Sequence, residues 1–105
     1  MSFSSFASRR LRRSFNLSSS VFFMPLAPYL EQDYDIVVPD LRCFGHSEAR
    51  PIDASRGYRD WSDDLFALCE TIGWKKFDLL GWSMGGDIGM QFVIDHSRMV
   101  RKLIL

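Results

Sequence analysis

One hexapeptide carries the residue types and spacing that covalent chemistry needs. Residues 81–86 read Gly81-Trp82-Ser83-Met84-Gly85-Gly86, a G-x-S-x-G pattern. A serine hydroxyl attacks a carbonyl only if it projects from a sharp turn. Such a turn strains the serine backbone, so the residues two before and two after must lack clashing side chains. The chemistry such a presented hydroxyl can do is nucleophilic attack on a carbonyl, given a base to take its proton. The Met84 backbone N–H is the candidate oxyanion donor, favoured by the start of a following helix. Trp82 and Met84 flank the serine, either as walls of an apolar acyl pocket or as packing under the turn.

Partners for that serine are scarce. After it come only Asp87, Asp95 and His96. Asp87 falls in the first turn of the expected helix, where the dipole accounts for its charge. His96 lies at that helix's far end, about 20 Å away at 1.5 Å per residue, too far to take the proton. His46 falls in a loop and is expected to bond locally. Without a base Ser83 stays a neutral alcohol at pH 7, and losing a triad member costs several orders of magnitude in rate. Cys43 and Cys69 fit no disulfide framework or metal-ligand spacing and read as reduced thiols. With both histidines isolated, no metal is expected, and no cofactor.

The elements that must position Ser83 follow from periodicity. Asp35–Val38 and Phe77–Leu80 read as strands buried on both faces, and Lys102–Leu105 as the start of a third. Tyr58, Trp61, Leu65, Leu68, Cys69 and Ile72 make an apolar stripe at helical spacing, predicting a helix over 58–72 with Gly73 as its stop. Asp60, Asp63 and Asp64 sit early in it, where the dipole favours acids. A second helix is expected over 85–96, with Ile88, Phe92 and Val93 inward and Gly89 allowing close approach. Pro25 and Pro28 suit the first turn of a short helix ending near Gln32. Leu41–Ile52 reads as loop. The alternation predicts an α/β fold with about three parallel strands (35–38, 77–80, 102–105) and right-handed crossovers.

Of the 105 residues, the first twenty stand apart, with eight serines, four arginines and no acid. That composition reads as an organellar, possible mitochondrial, transit segment or a disordered leader, and otherwise an intracellular protein, with the folded domain starting at 21. Residues 31–105 hold nine bases against thirteen acids. No basic footprint for nucleic acid is evident, and no apolar run approaches the roughly 20 residues of a membrane span.

Asp35–Ser47, DIVVPDLRCFGHS, together with GWSMGG and the closing RKLIL, resembles the α/β-hydrolase fold superfamily over about residues 24–105. The loop signature there is D-x-R-G-x-G-x-S. The resemblance implies that the three strands are the family's fourth, fifth and sixth, with Ser83 as nucleophile, Met84 N–H as oxyanion donor and a small-molecule substrate whose ester- or amide-type bond the intact relative hydrolyses by acyl transfer, a histidine taking the serine proton and water resolving the acyl-enzyme. A serine at this corner resembles esterases, lactonases, C–C hydrolases, peptidases and perhydrolase-like members, and argues against dehalogenases and epoxide hydrolases, which place Asp there. Three departures stand out. Cys43 occupies a glycine position; if its φ is positive, the cost is on the order of 1 kcal/mol. No His-Gly pair precedes residue 35, so the family's third strand and second oxyanion donor have no counterpart in the motif. The neighbouring strands must then close up or leave backbone groups unpaired, with Val21–Met24 as a partial substitute. The triad acid and histidine follow the sixth strand in the family, so the domain reads as partial and inactive alone. Exposed sheet edges then offer a route to self-association.

Overall fold

In the computed structural model of this chain the described residues are 3–6, 12–17 and 23–105. Among these residues five strands form one sheet: β1 (Phe3–Phe6), β2 (Arg12–Leu17), β3 (Tyr34–Pro39), β4 (Phe77–Gly81) and β5 (Val100–Ile104). Their spatial order is β1-β3-β2-β4-β5, with β1 antiparallel to β3 and the other pairs parallel. Helices α1 (Ala27–Leu30), α2 (Arg59–Ile72) and α3 (Met84–His96) complete the fold. The three expected strands and two long helices are present, shifted by at most two residues at their ends.

The sheet departs from expectation in its middle. β3 and β4 do not close up on each other. Arg12–Leu17 lies between them, pairing Ser14 with Ile36 on one side and with Asp78 on the other. The sheet therefore takes in residues ahead of the expected boundary at 21. The reason is that ladder bonds come from the backbone. Two parallel strands left two positions apart, about 9.6 Å, present facing rows of N–H and C=O groups that an extended segment of almost any composition satisfies. The place considered for Val21–Met24 is filled by Arg12–Leu17. Val21 and Phe22 lie outside the described residues, and Phe23 begins a turn whose carbonyl accepts from Leu26 N–H.

Side-chain alternation splits the core. Val37 and Leu79 face α2 and α3 and join Leu65, Leu68, Phe77, Ile88 and Phe92 in the main cluster. Ile36, Val38 and Leu80 face the other way, where Phe23 and the α1 segment cover them. α2 ends as its glycine dictates: Gly73 has φ +74, and its N–H and that of Trp74 both bond the Cys69 carbonyl. On α3, a Cβ on Gly89 would sit 3.2 Å from Leu103 Cδ1, so glycine lets α3 settle onto β4 and β5. Of the residues expected inward, Ile88 and Phe92 are fully buried and Val93 partly.

Candidate active site

Ser83 stands at the corner between β4 and α3. Its backbone is at φ 57, ψ −126, a region L-residues avoid. It is the N-cap of α3, yet its side chain makes no capping bond, and the residue is exposed. Backbone bonds hold the corner closed. Gly85 N–H donates to Trp82 O at 3.0 Å and Gly86 N–H to Ser83 O at 2.8 Å. The glycines earn their places by contact: a Cβ on Gly81 would lie 2.4 Å from Gly85 O and 2.8 Å from Gly86 Cα. Gly85 and Gly86 are buried, Met84 is half-buried and Trp82 is 56% exposed. Beside the corner opens a cleft of about 420 Å³ whose described lining residues, Phe23, Leu26, Leu80, Gly81, Trp82 and Leu105, carry no charged side chain.

The loop after β3 shows why its signature has that spacing. Asp40 is buried, and its carboxylate accepts from His46 N–H at 3.1 Å. The Ser47 hydroxyl donates to the Asp40 carbonyl. Gly45 has φ +52, and a Cβ there would strike the Asp40 carboxylate at 2.4 Å. Cys43 has φ 70, so a cysteine carries the left-handed strain that glycine would avoid. Its thiol reaches the Arg50 carbonyl at 3.4 Å.

Arg42 fastens this loop to α2. It makes a bidentate pair with Asp64 at 2.8 and 2.7 Å, and bonds Pro51 O at 2.8 Å. The Trp61 indole N–H returns a bond to Arg42 O at 3.0 Å. Asp60 is buried and accepts from Asp53 N–H at 2.7 Å, with Arg56 in contact and Arg42 at 3.9 Å. The Asp53 amide first, and the two arginines after it, hold its pKa below the usual carboxylate value. Dipole complementarity explains where these acids sit on α2 but missed their partners. The signal available was the run of arginines at 42, 50 and 56 just ahead of the helix.

Sequence spacing offers neither histidine as a base for Ser83. His96 is at the opposite end of α3, stacked on Phe66 with centroids 4.3 Å apart and tilted against Phe92 at 4.9 Å. His46 is exposed in the β3 loop. Asp95 accepts from Ser62 and Gln91, tying α3 to α2. Asp87 sits in the first turn of α3. Among the described residues no three of His, Cys, Asp and Glu gather closely enough to hold a metal ion, and no helix is long and apolar enough to cross a membrane.

Comparison with known proteins agrees with this geometry. Residues 14–105 match the family model for the alpha/beta hydrolase fold. The 2-hydroxymuconate semialdehyde hydrolase of Pseudomonas sp. (strain CF600) is 35% identical over 78 residues, covering 74% of this chain and 27% of that protein. A serine hydrolase-like protein of Danio rerio is 30% identical over 83 residues, covering 79% and 26%. A fluoroacetate dehalogenase of Burkholderia sp is 33% identical over 81 residues, covering 74% and 27%. The enol-lactonase of Burkholderia xenovorans LB400 superposes with a TM-score of 0.86 at 20% identity, over 97% of this chain and 41% of that one, a likeness of fold. The chain spans about a quarter of the length of the curated relatives it matches. The family match, covering the strand–corner–helix around Ser83 and the sheet that carries it, makes this chain a member of the α/β-hydrolase family.

Proposed function

We propose that Ser83 is the nucleophile of an acyl-transfer hydrolase acting on ester- or amide-type bonds of small molecules. Met84 N–H serves as one oxyanion donor, and Gly81, Trp82, Gly85 and Gly86 form the turn that presents the hydroxyl. One observation carries the reading: an exposed serine held at φ 57 between a parallel strand and a helix N-terminus, with its hydroxyl spent on no cap. A backbone held this far from its favoured region at a cleft has a use for the strain. The serine at this position favours acyl transfer over the dehalogenation named for the Burkholderia relative, because an alcohol gives an acyl-enzyme that water can resolve.

In this proposal the catalytic base is not His46 or His96. It is a histidine, oriented by an acid, outside residues 1–105, and these residues alone are catalytically incompetent. Exogenous imidazole tests both halves of the statement. A fluorophosphonate probe is expected to label the chain negligibly, and addition of imidazole as a diffusible base raises labelling many-fold in the native chain but not in Ser83→Ala. Equal imidazole-dependent labelling in Ser83→Ala would remove Ser83 as nucleophile. Rapid labelling without imidazole would mean that a base is already at hand.

A further inference from the structure

We draw no further inference here: the strongest candidate, the patch of exposed cations Lys75, Lys76 and Arg98 at the N-terminal ends of β4 and β5, lies where the C-terminal ends of α2 and α3 already favour positive charge, and nothing in the structure shows what covers it.

Discussion

At the scale of single residues the corner around Ser83 is governed by contacts within one short peptide. Gly81 and Gly85 face each other at a separation that leaves no room for a methyl group, since a Cβ on Gly81 meets Gly85 O at 2.4 Å. Gly81→Ala is therefore expected to push β4 away from α3 and to cost about 1–3 kcal/mol, read as a lower urea midpoint. The two thiols are predicted to separate cleanly. Burial raises the Cys69 pKa to about 12, whereas Cys43 is exposed. A disulfide-exchange reagent at pH 8 should titrate one thiol per native chain, lost in Cys43→Ser, and two in denaturant; two fast-reacting native thiols would contradict the packing of α2.

At the scale of elements, α2 and the loop after β3 behave as one unit joined by ion pairs. Arg42→Leu removes a bidentate contact with Asp64 and is expected to cost about 2 kcal/mol, measurable by urea denaturation. Asp60 sets a pH dependence. Its folded pKa lies below its ordinary value of 3.8, so its contribution to stability is full above that value and is lost as pH falls through the lower folded one. Asp60→Asn should be less stable than the native chain at neutral pH, and the gap should shrink on acidification below pH 3.8. A gap that is constant with pH would rule out this linkage. The acids of α2 illustrate what periodicity leaves out. Their positions were legible, because helix ends attract charge of fixed sign. Their partners were not, because Arg42 and Arg56 reach them through tertiary structure. The middle strand was illegible for a related reason. Arg12–Leu17 contributes backbone groups to two neighbours, and a backbone ladder leaves little trace in composition. By contrast, Gly73 as a helix stop, Gly89 as a contact point and the corner at Ser83 each follow from a local rule and could be read directly.

At the scale of the whole molecule, the sheet does the positioning. β4 sits between β2 and β5, α3 packs across β4 and β5, and the loop from β3 is clamped to α2. Strain at one corner persists only where the surrounding fold over-determines it, at a cost on the order of 1–3 kcal/mol. Global unfolding of Ser83→Gly reads that cost directly. Glycine relieves the unfavourable φ but loses roughly 0.5–1 kcal/mol to unfolded-chain entropy. An ordinary serine N-cap replaced by glycine loses a few tenths of a kcal/mol. Because Ser83 makes no cap bond and sits at φ 57, two-state urea unfolding of Ser83→Gly is predicted to show a gain of about 1 kcal/mol over the native chain. A loss of stability would mean that residue 83 is an ordinary helix cap, and the account of a serine held under strain to present its hydroxyl would be wrong.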